Sequence, residues 1–362
     1  MPRKAFLKLR ACFCKKIFIY VVYSAKIHKF AQQLQTTAYK MTNKEKYSQL
    51  CTENDTIPLF LQHWWMEAVC TKASKEWDVL LYEKNKKVVA ALPYHFITKL
   101  GMKVILQPQL TQYSGLWIDY PNGISYKERY SLEEEVCKGL ISQLDTLSWV
   151  HYMQHFHYRF TNWLPFFQQG FTQTTRYTYR IESIGNTQDV FDNFHQGKQK
   201  HIKKAKDLSV DYSLSAADFY AFLSHTIAQK QQQVVYSQSF FVGLHQQAVE
   251  REQGQIIAVR DKTGAIHAAM FVVWDHLSGY YLVSAIDANY KHSGASSLML
   301  WEAICFLSSR TKSFDFEGSM IKGVAKANQE FGGVQTPYFS ISKSRSGVLG
   351  CMLNVYRWLW KK

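Results

Sequence analysis

Two carboxylates two residues apart, Asp315 and Glu317, stand at the end of the run Ser313-Phe314-Asp315-Phe316 and are followed at once by Gly318. A carboxylate placed there could deprotonate an attacking amine if it comes within hydrogen-bond reach of the nucleophile. Burial beside a second acid would raise its pKa towards the working range. Two milder readings stand beside that one: Glu317 binding a donor's ammonium, or pairing with Lys322. Upstream, Lys291-His292-Ser293-Gly294-Ala295-Ser296 closes a polar turn ahead of an apolar helix that runs through Leu307. A helix N-terminus presents bare backbone N–H groups to an anionic or carbonyl-bearing ligand. Glycine lets such a ligand approach closely and Lys291 supplies charge, although the same residues also read as a helix capped by Ser293.

Three further groups carry polar chemistry. The loop Pro108-Gln109-Leu110-Thr111-Gln112-Tyr113 could line a substrate cleft through Gln112 and Tyr113, or be a satisfied polar turn. Within Gly197-Lys198-Gln199-Lys200-His201-Ile202-Lys203-Lys204-Ala205-Lys206, the densest basic run of the body, Lys200, Lys203 and Lys204 could contact phosphates or be solvated. His151, His155 and His157 share strand parity, but no acid or cysteine stands near them, so packing and hydrogen bonding are expected rather than a metal.

These groups need elements to hold them. Residues 58–70 read as a helix entered at Pro58; residues 77–83 and 88–96 read as a hairpin around Lys84-Asn85-Lys86. Extended segments follow at 102–107 and 115–118, then a helix at 126–147 with Leu132, Val136, Leu140, Ile141 and Leu144 at helical spacing. An aromatic strand is expected at 149–160, a loop at 162–171 and a returning strand at 176–181. The second half reads as a basic helix, a strand at 210–214, helices at 217–230 and 240–252, and strands at 255–260, 266–274 and 280–286. The helix behind Ser293 comes next, then strands at 313–316 and 338–342, and a terminal amphipathic helix at 348–360.

With 362 residues, 47% of them hydrophobic, the chain is long enough for two ordinary domains and well away from disorder. The net charge of +15 suggests nucleic acid or an anionic surface. Residues 1–40, however, hold nine Lys and Arg and no acid, leaving 34 bases against 28 acids in the rest. That body is only mildly basic. The apolar run 17–23 is too short to span a bilayer, so no transmembrane segment is expected, and 1–40 read as a basic extension outside the fold ahead of Met41, with a signal peptide or surface anchor as the alternative. Seven scattered cysteines without metal spacing suit a reducing compartment.

Tyr280-Tyr281-Leu282, Ser293-Gly294-Ala295, Trp301-Glu302-Ala303-Ile304, Phe314-Asp315-Phe316-Glu317-Gly318 and Phe331-Gly332-Gly333 together, in this order, resemble the second domain of Fem-type acyltransferases. These belong to the GNAT acyltransferase superfamily. Within it the chain resembles the Fem-like, peptidoglycan-type aminoacyltransferase-related proteins of Bacteroidetes type, over roughly residues 46–344. The resemblance implies an α/β chain of two GNAT-like domains, 44–182 and 183–362, each a mixed, mostly antiparallel sheet flanked by helices. It also implies a donor lying in a V-shaped gap where two neighbouring strands splay, with its diphosphate on the next helix's N-terminus.

The superfamily's phosphate loop is usually Q/R-x-x-G-x-G/A; here Lys291 takes its first position and Ser296 its last. That departure leaves acyl-CoA in competition with aminoacyl-tRNA, the donor of Fem-type members. The implied activity is N-acyl transfer, with a small molecule, a cell-wall precursor or a surface-saccharide precursor as amine acceptor, and no DNA. The implied location is cytoplasmic or peripheral to the inner membrane. A different class stays open: a non-catalytic module of the same fold that grips RNA or an anionic ligand.

Overall fold

Residues 41–70, 75–99, 101–318 and 320–345 are described in a computed structural model; the basic extension 1–40 and the expected terminal helix 348–360 lie outside them. The first half opens with α1 (Asn43–Glu53), a 3-10 turn at Leu59–Leu61 and α2 (His63–Cys70). The single helix expected over 58–70 is broken at Gln62, whose ψ of 147° is extended. Strands β1 (Lys75–Lys84) and β2 (Lys87–Lys99) form the hairpin, with Asn85 and Lys86 both at positive φ, as a tight primed turn needs. Then come β3 (Met102–Leu106), β4 (Trp117–Ile118), α3 (Tyr126–Asp145), β5 (Trp149–His155), α4 (Leu164–Gln168) and β6 (Thr172–Ile181). Ser125 and Glu128 close a capping box ahead of α3, and its apolar stripe, including Val136, Leu140 and Leu144, is buried.

The second half contains α5 (Thr187–Asp192), α6 (Gln196–Lys204), β7 (Ser209–Asp211), α7 (Ala216–Ala228) and α8 (Gln238–Val249). It continues with β8 (Gly254–Arg260), β9 (Ile266–Trp274), β10 (Ser278–Ile286), α9 (Ala295–Leu307), β11 (Ser313–Asp315), α10 (Lys322–Glu330) and β12 (Val334–Ser344). The strands make one mixed sheet flanked by helices, ordered β1-β2-β3-β5-β12-β6-β11-β10-β9-β8-β7, with β4 beside β2. Among the described strands, β3–β5 and β10–β11 pair in parallel.

The centre of that order matters for function. β12, from the end of the described chain, inserts between β5 and β6, while β6, from the first half, lies between β12 and β11. Each half therefore contributes a strand to the other's side of the sheet. One core cluster also joins Tyr47, Phe60 and Trp65 of the first half to Phe219, Phe271 and Tyr280 of the second. The Phe60 and Tyr280 rings are 4.6 Å apart, and the Leu59 N–H donates to buried Asp275 at 2.8 Å. Burying one such aromatic side chain contributes about 1.5–3 kcal/mol, so the seam is held as firmly as an ordinary core. Among the described residues, no helix is long and apolar enough to cross a membrane.

Candidate active site

β10 carries a bulge: Tyr281 pairs with Val272 and Val283 with Phe271, leaving Leu282 as an extra residue against β9. On its other side β10 pairs with β11 only from Ser278 to Tyr280, opposite Ser313 to Asp315. β11 then ends. β10 continues through Tyr281 to Ile286 with no strand partner on that side among the described residues. Two adjacent strands therefore part immediately beyond Tyr280 and Asp315, leaving one edge of β10 unpaired beside two acids.

The turn after β10 is fixed by its glycine. Gly294, the N-cap of α9, has φ +85°, and a Cβ there would lie 2.3 Å from the His201 carbonyl oxygen of α6. Neither the dihedral nor the space admits another residue cheaply. Ser293 Oγ accepts from the Ala295 N–H, and Ser297 and Leu298 N–H donate to the Gly294 carbonyl. The Ser296 N–H has no partner among the described residues. Lys204 Nζ donates to the His292 carbonyl at 2.7 Å, so the C-terminal end of the basic helix is drawn to this turn. Lys291, Lys200 and Lys203 are exposed and make no ion pair among the described residues, whereas Lys198 pairs with Glu330 at 3.4 Å. One free amide with lysines around it fits an anionic donor group.

Asp315 is fully buried and its oxygens are shared among three segments. Oδ1 accepts from Thr178 of β6, from Gln112 Nε2 at 3.3 Å and from the Glu317 backbone N–H at 2.8 Å; Oδ2 accepts from the Tyr113 hydroxyl at 2.8 Å. Burial pushes its carboxyl pKa up, and these donors, with Arg180, pull against that. Arg180 is also buried: it binds Glu182 at 2.6 Å and Ser313 Oγ at 3.1 Å and lies 4.0 Å from the centre of the Tyr158 ring. Its Nε, 3.9 Å from Asp315 Oδ2, makes no hydrogen bond among the described residues.

Glu317 does not continue the strand. Its φ is +55° and that of Gly318 +43°, and a Cβ on Gly318 would lie 2.2 Å from the Tyr177 carbonyl oxygen. The chain turns sharply here, so the two acids meet through a bend instead of through the strand parity that their spacing suggests. The residue is half-buried, but its Oε1 is shielded from solvent and unpartnered among the described residues. Nor does any ion pair join it to Lys322 there. Burial first, and then the neighbouring Asp315, push the Glu317 carboxyl well above its ordinary range. A non-glycine residue held at positive φ with an unpaired acid is the kind of local strain that functional sites retain.

Gln112 and Tyr113 are thus brought to the acids, not to open solvent; both are buried, and Gln112 Oε1 is another unpartnered atom. Thr178, Arg180 and Tyr338 were not singled out in the sequence. Thr178 and Arg180 lie in the strand expected at 176–181 and Tyr338 in the one expected at 338–342, and both strands read as structural. The three histidines separate: His151 meets Ser344 Oγ at 2.8 Å, His155 lies against Tyr338, and His157, beyond the end of β5, packs on Tyr113. Among the described residues no group of three or more His, Cys, Asp or Glu could hold a metal ion.

Residues 193–320 match the family model described as an acetyltransferase (GNAT) domain. No protein of curated function matches the sequence. Among solved structures, the fold is similar to the crystal structure of FemX, with a TM-score of 0.62 at 10% identity over 83% of this chain and 96% of that one. It is also similar to a conserved protein of unknown function from Bacteroides thetaiotaomicron, with a TM-score of 0.52 at 14% identity over 81% and 97% of the two chains. A third similar structure is the C-terminal domain of a putative lysylphosphatidylglycerol synthetase from Agrobacterium fabrum, with a TM-score of 0.50 at 9% identity over 86% and 95%.

Proposed function

We propose that this chain, whose residues 193–320 match a GNAT acetyltransferase domain and whose fold is similar to that of FemX, moves an acyl or aminoacyl group from an activated donor to an amine. The observation that carries the reading is the parting of β10 from β11 beside Asp315 and Glu317. The unpaired edge of β10 offers backbone groups to the donor's arm, and the Ser293–Ser296 turn with Lys291 and Lys204 takes its phosphate end, either from acyl-CoA or from the tRNA of an aminoacyl ester. Lys200 and Lys203 extend that basic surface.

The amine nitrogen attacks the donor carbonyl carbon, and backbone N–H groups steady the tetrahedral oxyanion. Glu317 accepts the amine's proton; the C–S or C–O bond then breaks, and the departing thiolate or alkoxide takes a proton back. A raised carboxyl pKa makes Glu317 a stronger base once ionised, and Asp315, Gln112 and Tyr113 hold it in place. The acceptor is a small amine or a cell-wall or surface-saccharide precursor, met in the cytoplasm or at the inner face of the membrane.

Thermal-shift titration with acetyl-CoA, longer acyl-CoAs and aminoacyl-tRNA tests the donor: a ligand at a hundred times its Kd stabilises by about 2.7 kcal/mol. With the true donor, Glu317→Gln should keep that shift and lose about a hundredfold or more in turnover. Unchanged turnover removes Glu317 from the chemistry. The exposed, unpaired Lys200 and Lys203 favour one second reading, a non-catalytic module for RNA or another anionic ligand. No shift with any donor, beside RNA binding that weakens steeply with salt, would select it.

A further inference from the structure

The first half holds a cavity of about 260 Å³ whose lining includes His157, the residue that packs on Tyr113. Its wall is mainly apolar: Pro58, Leu116, Trp117, Ile118 and Phe160 are all buried. Nearly every polar group on that wall is already engaged. Trp117 Nε1 donates to Thr56 Oγ1 at 3.2 Å, Asp119 pairs with Lys87 at 2.8 Å, and the Tyr120 hydroxyl donates to Glu133 at 2.7 Å.

The exception is Arg159, whose guanidinium has no ion pair or hydrogen bond among the described residues and lies 5.9 Å from the centre of the Tyr158 ring. Beside it, buried His157 accepts the Arg159 backbone N–H at Nδ1, so its proton sits on Nε2. Burial and the guanidiniums of Arg159 and Arg180 hold that imidazole neutral. The lining thus presents an apolar body with one uncompensated positive charge at its rim.

We propose that this cavity binds an amphiphilic anion, a short chain or single ring bearing a carboxylate or a phosphate, with Arg159 as counter-ion and the Trp117 and Phe160 side chains around the apolar part. Arg159 can meet either head group through two parallel N–H donors. The chain of contacts to the acids is short: the His157 and Tyr113 rings are 4.8 Å apart, and the Tyr113 hydroxyl reaches Asp315. Under the transferase reading, on which this assignment rests, the cavity is the acceptor's subsite. Its occupancy can be measured without turnover.

Calorimetric titration of the full chain with hexanoate, hexyl phosphate and neutral hexan-1-ol tests the assignment, in the wild type and in Arg159→Met, whose side chain is exposed and whose fold is checked by circular dichroism. The expected result is one saturable site at which at least one anion binds about tenfold or more tighter than hexan-1-ol, a preference abolished in Arg159→Met. The better anion identifies the head group. The proposal is overturned if neither anion saturates, if hexan-1-ol binds as tightly, or if the preference survives in Arg159→Met. A protein that binds the anion but no donor would keep this site and lose the transferase reading.

Discussion

The acid corner after β11 and the turn before α9 lie at the two sides of the parted strands, yet they are built in opposite ways. The turn is largely local: Ser293, Gly294 and Ala295 cap their own helix, and its outside contacts come from one neighbouring segment, with His201 and Ala205 against Gly294 and Lys204 on the His292 carbonyl. The corner is assembled from afar, since Asp315 is held by residues more than a hundred positions away. Asp315 is satisfied by buried donors, whereas the lysines at the turn remain in water. A site built locally can be altered at its surface with little loss of fold; one built across the seam cannot.

The largest effect expected is that of Asp315→Ala. It strands the Tyr113, Thr178 and Gln112 donors and leaves Arg180 with less compensation, and should cost about 3–5 kcal/mol by urea unfolding. A loss below 1 kcal/mol would mean that the corner is not the keystone of the seam. Gly294→Ala comes next, at about 1–3 kcal/mol from backbone strain alone, with the clash against α6 added. Because the turn is local, donor binding should suffer in this variant even where the folded protein is recovered.

Tyr113→Phe leaves one oxygen of a buried carboxylate short of its hydroxyl donor and should cost about 1–3 kcal/mol. If Thr178→Val costs as much and the double variant costs less than the sum, the two share one network. Glu317→Gln sharpens the contrast through pH. A carboxyl whose folded pKa lies above its unfolded value lends stability at acid pH and loses it as pH rises through the folded pKa. Thermal unfolding should therefore show the wild type losing ground from the ordinary carboxylate range upward, and the variant flatter and more stable at neutral pH and above. A steeper fall in the variant would contradict a buried, unpaired acid. The smallest effect belongs to Lys291→Gln with Lys204→Gln, within about 0.5 kcal/mol in stability but weaker for any phosphate-bearing donor.

Much of this was readable before the fold was known. The hairpin around Asn85, the capped helix α3, the three antiparallel strands β8 to β10 and the helix behind Ser293 follow from alternation, turn residues and caps, which act within a few positions. Less legible were α1, α4, α5 and α10, helices that are short or carry few apolar residues. The strand expected over 149–160 stops at His155, where β12 leaves the pairing and the chain bends towards the cavity. Gln112 and Tyr113, readable either as lining a substrate cleft or as part of a satisfied polar turn, are buried side chains that bind Asp315. Thr178 and Arg180 gave no signal, since in a strand of alternating polar residues nothing marks which hydroxyl or guanidinium will face an acid.

By itself, then, the sequence determined most of the strands and the longer helices, the glycine that starts α9 and the presence of two acids at the end of a strand, because each is set by dihedral preference and neighbouring side chains. Only the tertiary structure decided that β6 and β12 trade places across the seam, that β10 and β11 part, and that Asp315 is surrounded while Glu317 is left unpaired. Those outcomes depend on which distant strands share an edge, and hydrogen bonds between segments a hundred or more residues apart leave no spacing in the chain from which to read them.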